Sequence, residues 1–402
     1  MFGKGLCFLA VVLMVGILLS GPAALAAPPL QEEEPIKIGA ILAITGPASP
    51  LGVPERDTLR MLEEEINEAG GVNGRPLEII IYDTEGDETK AVMAIKKLIE
   101  DDKVLAVIGP SRTGTTLAVI DTVEKAEIPH VSLAAGIQIV EPVKKWVFKT
   151  PQTDVFAVSK IMDYLEAQGI GKIAVISVSN AFGESGKNQV LLQAEERGLE
   201  VVAEETFGPE DTDMTAQLTR IKASRAEAVI CWGTNPGPAM VAKNMMQLGM
   251  DIPLLQSHGV ANKKFIELAG EAAEGIIFPA GRLLVAEDLP EDDPQKPVLL
   301  EFAAMFEEKY GRTADTFGGH AWDALHLLVQ AIEEVGTDKE AIREALENTT
   351  NFVGTGGVFN FSPEDHNGLT KDAFAMIKIV DGQWTLLEEP ELPAEEAPTP
   401  EA

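Results

Sequence analysis

Short apolar runs alternate with helix-patterned segments along this chain, and the alternation is gone through twice. IKIGAIL (36–42) is brief and mostly apolar, as a strand covered on both faces has to be. Residues 54–69 place Leu59, Leu62, Ile66 and Ala69 at helical spacing, and the glycines of GGVNG (70–74) stop that helix. LEIIIYD (77–83), VLAVIG (104–109) and IPHVSL (128–133) read as further strands, with helix patterns over 87–101 and 114–126 between them. KIAVISV (172–178) begins the rhythm again. LEVVAEETF (199–207), EAVICWG (227–233) and IPLLQSH (252–258) continue it, with helices over 184–197, 213–223 and 237–248. A β-α-β-α order requires parallel sheets with helices on both faces. The fold class is therefore α/β, with two doubly wound parallel-sheet units in series and WVFKTPQTD (146–154) as their connection.

A third section, 275–388, is too small for a sheet of its own. GIIFPAG (275–281) reads as a strand leaving a lobe, and DLPEDDPQKP (288–297) as a surface loop. Helices are expected at 298–310, 317–335 and 338–347. FNFSP (359–363) and AFAMIKIVDGQW (373–384) read as a terminal hairpin turning on Asp381-Gly382. Such a section is expected to cross back and complete both units.

The N-terminus carries Lys4, an apolar run from Leu6 to Leu19 and small residues at Ala24 and Ala26. That is the pattern of a secretory leader, with cleavage expected after Ala26. The run falls short of the roughly 20 residues that span a bilayer. Cys7 would leave with the leader, so the exported chain is expected to be soluble and to keep Cys231 alone, a buried thiol in AVICW. The formal charge of −32 becomes −33 once Lys4 is removed, which argues against nucleic acid, where a basic face is needed. Residues 389–402 are Glu, Pro and Ala with almost no large apolar side chain, and are expected to stay solvated.

Ligands of open parallel sheets bind beyond the C-terminal ends of the strands. GPSRTGTT (109–116) offers backbone N–H groups at a helix start and the hydroxyls of Ser111, Thr113, Thr115 and Thr116. It suits an anion such as a carboxylate, or else is an ordinary Ser/Thr helix cap. It lacks the G-x-x-x-x-G-K-[ST] pattern of a phosphate loop. Ala134, Ala135 and Gly136 (AAGIQ, 134–138) allow close approach to backbone amides, or simply pack tightly. Phe182 in SNAFGESG (179–186) could cover an apolar part of a ligand or staple its own helix. Thr234, Asn235 and His258 complete the set of polar candidates. His130, His258, His320, His326 and His366 show no metal-ligand spacing, G-x-S-x-G is absent, and no acid/base pair stands out. No metal, no cofactor and no catalysis are expected.

Taken in order, IKIGAILAITGPASPLG, INEAGGVNGRPLEIIIYDTEGD, VLAVIGPSRTGTTLAV, IPHVSLAAG and HGVANKKFIELAGEAAEGII resemble the type I periplasmic binding proteins of the branched-chain amino acid (Leu/Ile/Val) cluster, over essentially all of 36–388. The resemblance implies a periplasmic, monomeric receptor of an ABC importer, partnered by membrane permease subunits, that closes on a small solute and catalyses nothing. It implies a first lobe of 36–150 plus 279–350 and a second of 151–278 plus 351–388, joined by a three-segment hinge. Position by position, Thr113 supported by Ser111 matches the hydroxyl that grips a ligand carboxylate, and Ala134 a backbone contact. Gly136 stands where Ser or Thr is usual. Phe182 matches an aromatic wall, Asn235 replaces an aromatic, and His258 falls where an acid meets the ligand ammonium. The carboxylate end is kept and the amine end altered. The implied ligand is a carboxylate, either a branched-chain amino acid with Glu184 turned inward or an aliphatic or aromatic acid without an α-amine. The same fold also serves as the sensing domain of regulatory receptors, the alternative reading.

Overall fold

A computed structural model describes residues 34–387. The expected leader, its cleavage at Ala26 and the acidic tail fall outside the described residues.

The first lobe is built on a five-stranded sheet of order β2-β1-β3-β4-β5, parallel throughout. Its strands are β1 (Ile36–Leu42), β2 (Leu77–Asp83), β3 (Ala106–Ile108), β4 (His130–Ser132) and β5 (Val147–Lys149). Helices α1 (Ser49–Glu68), α2 (Glu88–Lys97) and α3 (Thr113–Ala126) make the crossovers, and α2 ends in a π-helical turn at Leu98–Asp102. Strand order reverses between β1 and β3, which opens a crevice at their C-terminal ends.

The second lobe starts at α4 (Asp154–Ala167) and continues through β6 (Lys172–Val178), α5 (Ala181–Arg197), β7 (Glu200–Phe207), α6 (Thr215–Ser224), β8 (Ala228–Trp232), α7 (Gly237–Gln247), β9 (Leu254–Gln256), α8 (Lys263–Ala269) and β10 (Ile277–Gly281). The chain then returns to the first lobe as α9 (Lys296–Tyr310), α10 (Thr316–Val335), α11 (Lys339–Glu347) and the small hairpin β11 (Phe352–Val353) and β12 (Val358–Phe359). It crosses a third time into β13 (Phe374–Val380) and β14 (Gln383–Leu386), antiparallel strands that extend the second sheet to the order β14-β13-β10-β9-β8-β6-β7.

Apolar spacing accounts for the packing. Leu59 and Leu62 of α1 and Leu325, Leu328 and Ile332 of α10 are fully buried in one core with Ile38 and Leu42 of β1. Trp322 lies in that same core against Phe302. Cys231 is fully buried in β8, and burial pushes its thiol pKa up, so it is an inert core residue.

Three details differ from the sequence reading. The 146–154 connection contains an edge strand, β5, and leads into a helix, α4, whose buried Ala157, Val158, Ile161, Met162 and Leu165 follow helical spacing. The terminal hairpin is β13–β14 alone, with Asp381 and Gly382 both at positive φ (52° and 69°) in its turn. FNFSP is no part of it, because Phe359 pairs with Phe352 instead. Finally, Phe359, Phe361 and Leu369 are buried in the first lobe's core, so the last crossing falls near Ala373 rather than at 351, and Pro279–Gly281 still belongs to the second sheet.

Candidate functional site

The site begins at the crevice between β1 and β3. After Ile108 the chain turns through residues 109–112 into α3, whose N-cap residue is Arg112 and whose first turn carries no side-chain cap. Other helices here are capped: Asp87 accepts from Lys90 N–H, Asn180 from Phe182 and Gly183, and Asp315 from Gly318. The ordinary-cap reading of 109–116 is thus excluded. The N–H groups and positive dipole end of α3 remain available to an anion.

The four hydroxyls of this loop are not equivalent. Ser111 Oγ accepts the Ala43 N–H at 3.0 Å and bonds the fully buried Glu55 carboxyl. Thr115 donates back to Arg112 O at 2.9 Å, and Thr116 is tied to Ser132 at 3.0 Å. Thr113 Oγ1 only accepts, from Gly136 N–H at 3.3 Å, and its proton is committed to no acceptor among the described residues. A Cβ on residue 136 would lie 2.5 Å from Thr113 Cγ2, so the glycine is what lets this threonine sit where it does.

This end opens into a cavity between the lobes. The first lobe contributes Leu51, Glu88, Ser111, Arg112, Thr113, Ala134, Ala135, Phe317 and His320; the second contributes Asn180, Phe182, Thr234 and His258. Two side chains on the second-lobe side are set by local packing. Phe182 opens α5 over Trp232, with ring centroids 5.9 Å apart. Trp232 fits beneath α5 because residue 186 is glycine, where a Cβ would stand 2.0 Å from the indole. His258 lies edge-on to Phe182 (5.5 Å), Trp232 (5.8 Å) and Phe374 (5.4 Å).

The electrostatics are uneven. Lys149, fully buried at the end of β5, donates to Ala135 O (2.8 Å) and Pro151 O (3.0 Å) behind the cavity wall, and burial pushes its pKa down to about 7. Burial, with Lys149 nearby, pushes His258 and His320 down to about 3, so both are neutral at ordinary pH. Among the described lining residues Glu88 is the one acid, and it sits beside Gly114 with the Arg112 guanidinium near it. Hydrogen bonds link the lobes: Ser185 to Gln138 (2.7 Å), Asn262 to Pro50 O (3.1 Å) and Thr316 to Ala261 O (3.3 Å).

Two sheets in one chain, with a cavity at their facing strand ends, are matched by sequence over nearly the whole described length. Residues 35–383 fit the profile of the family described as periplasmic binding protein. The chain belongs to that family. A leucine-, isoleucine-, valine-, threonine- and alanine-binding protein of Pseudomonas aeruginosa is 28% identical over 326 residues, 80% of this chain and 85% of that protein. The Leu/Ile/Val-binding protein homolog 3 of Brucella melitensis is 24% identical over 88% of this chain and 94% of its own. An extracellular ligand-binding receptor from Rhodopseudomonas palustris superposes with a TM-score of 0.83 at 29% identity, covering 88% of this chain and all of that one. A branched-chain amino acid transporter substrate binding protein of Streptococcus pneumoniae, solved with isoleucine, shares the fold at a TM-score of 0.78 and 24% identity, over 88% of this chain and 99% of its own.

The type I, Leu/Ile/Val-cluster resemblance and the α/β fold hold, and the periplasmic binding protein's role is to bind a substrate, not to transform it. Among the described residues no helix is long and apolar enough to cross a membrane, and no cluster of three or more His, Cys, Asp or Glu could hold a metal ion. Of the residues singled out by sequence, Ser111, Thr113, Ala134, Ala135, Phe182, Thr234 and His258 line the cavity. Gly136 does not; it supports Thr113 from behind. Asn235 does not either, because its amide turns to Asn262 at 3.4 Å and its side chain faces an adjoining groove. Glu184 is exposed on α5 and does not turn inward. His320 and Phe317 were missed because α10 reaches the cavity only when the chain returns to the first lobe, and no strand end announces it.

Proposed function

We propose that this periplasmic binding protein is the exported solute receptor of an ABC importer and that its solute is a small carboxylate lacking an α-amine. The observation that carries the ligand class is the pairing of an uncapped α3, where Thr113 keeps its hydroxyl proton, with a neutral, buried His258 on the facing lobe. An ammonium buried without an opposing charge costs several kcal/mol, and an imidazole held neutral beside Lys149 supplies none. The importer role and the periplasmic location, with permease subunits as partners, are supported by the family, by relatives that are transporter substrate-binding proteins and by the leader-like N-terminus. Closure of the lobes on the ligand follows from better contact in the closed form, as the Gln138–Ser185 and Asn262–Pro50 bridges allow.

One observation favours a second reading. Glu88 lines the cavity beside Gly114 and could face the ammonium of an amino acid, the ligand class in the relatives' names. Titration calorimetry with leucine, valine and benzoate separates the two. Benzoate binding with stoichiometry one and no leucine response supports the acid; tight leucine binding with no benzoate response sinks it.

A further inference from the structure

The chain has five histidines, and three of them hold a backbone carbonyl: His130 that of Gly109, His326 that of Trp322 and His366 that of Val147. The two at the cavity do not behave this way. His258 and His320 are 7% and 5% exposed, yet neither nitrogen of His258 and not Nδ1 of His320 has a hydrogen-bond partner. A buried polar atom without a partner costs roughly 1–3 kcal/mol. Three such atoms on two side chains of one cavity call for a partner that arrives from outside the chain.

The two imidazoles come from opposite lobes, His258 from the turn after β9 and His320 from α10. They lie close enough to sense each other and Lys149 electrostatically. The His320 carbonyl accepts from Thr150 Oγ1 at 2.9 Å, which fixes this part of α10 just beyond β5. Thr113 follows β3, two strands away in the order β3-β4-β5. The hydroxyl end and the imidazole end thus sit over different strands of the first sheet. A ligand carboxylate at α3 therefore leaves the imidazoles to its far end.

A neutral imidazole offers one N–H donor and one acceptor nitrogen. Two of them beside a buried Lys149 suit an oxygen that accepts, or both accepts and donates. A cation there would add a like charge to the lysine's. Phe182 and Phe317, whose rings lie 5.5 Å from His258 and 6.4 Å from His320, leave apolar surface for the body between the two ends.

We propose that His258 and His320 together bind a second oxygen function of the ligand (hydroxyl, carbonyl or second carboxylate), carried at the end away from α3, and that His320 is a specificity-determining residue. The proposal rests on the carboxylate reading above and deepens it: the substrates are hydroxy-, oxo- or dicarboxylic acids rather than plain acids.

The test is titration calorimetry on the exported chain with acids paired by their far oxygen: benzoate against 4-hydroxybenzoate, and pentanoate against 4-oxopentanoate and glutarate, with leucine alongside. At least one oxygen-bearing acid is expected to bind about tenfold or more tightly than its parent. His320→Phe and His258→Phe are expected to bring that ratio within threefold while the parent acid still binds. His320→Gln, which keeps a donor and an acceptor, should retain part of it and guards against misreading a folding defect. Equal affinities within every wild-type pair, or a ratio that survives both Phe variants, overturns the proposal and leaves the carboxylate reading standing. Leucine binding with no acid binding overturns both, as does an absence of binding by every acid.

Discussion

Replacing Thr113 with valine isolates the one hydroxyl proton that the α3 loop leaves unspent. The side chain is 2% exposed and valine nearly reproduces its shape, so the change is chemical. Two groups feel it. The Gly136 N–H loses its acceptor, and since that bond is already long at 3.3 Å, the cost to the empty protein lies near the low end of the 1–3 kcal/mol for an unpaired buried group, about 1 kcal/mol. A bound carboxylate loses a hydrogen bond to a charged acceptor, worth about 1.5–3 kcal/mol, or roughly 10- to 150-fold in Kd. Binding is weakened rather than abolished, because the uncapped N–H groups of α3 and the helix dipole stay in place. Thr113→Ser restores the hydroxyl and should remain within about threefold of wild type. Calorimetry with the tightest-binding acid, alongside thermal melts of the empty proteins, separates the two terms. An affinity of Thr113→Val within twofold of wild type would refute the claim that this hydroxyl holds the carboxylate.

Three further outcomes are expected. His258→Asp returns a carboxylate to the place where the family resemblance puts an acid, and leucine affinity should rise about tenfold or more by calorimetry, since a buried ion pair replaces an uncompensated ammonium; no gain would mean that position 258 does not face the amine. Gly186→Ala drives a methyl to 2.0 Å from the Trp232 indole and should lower stability by about 1–3 kcal/mol in urea unfolding, with binding weakened through the displaced Trp232–Phe182 wall. His130 is fully buried with its pKa pushed down to about 4 from 6.5, so the folded state binds fewer protons than the unfolded one between those values. Its contribution is complete above pH 6.5 and is lost as pH falls toward 4, on the order of 3 kcal/mol. His130→Gln should show a flatter stability profile over that window, and parallel profiles would contradict it.

Periodicity made most of the fold readable. Strands buried on both faces announce themselves as apolar runs, and the two β-α series were visible because nothing else produces IKIGAIL, LEIIIYD and VLAVIG at such regular intervals. The departures have physical causes. β5 is only Val147–Lys149, and its third residue is a lysine whose charge is met by the carbonyls of Ala135 and Pro151, a long-range arrangement that no local pattern carries. Phe359 and Phe361 alternate as a strand should, but which lobe receives them depends on the core they fill, and the first lobe's core was incomplete without them.

The site was legible where chemistry follows strand ends and illegible where it follows tertiary return. Thr113 could be found because a loop after a parallel strand, rich in hydroxyls and opening a helix, is the standard place for an anion. What the sequence could not say is which hydroxyl is free. Ser111, Thr115 and Thr116 are each committed, to Glu55, Arg112 O and Ser132, and the first and last of these commitments are settled by α1 and β4 rather than by the loop. His258 illustrates the converse. Its position in the sequence signalled a lost acid, but not that a second neutral imidazole would face the same cavity from α10 with Lys149 behind both. A single substitution from acid to histidine removes a charge; the pair, held neutral by burial, makes a hydrogen-bonding end of opposite preference. The proposed ligand class thus rests on residues from three chain segments that two crossings bring together, and the loop motif alone bears only on the proposed carboxylate end.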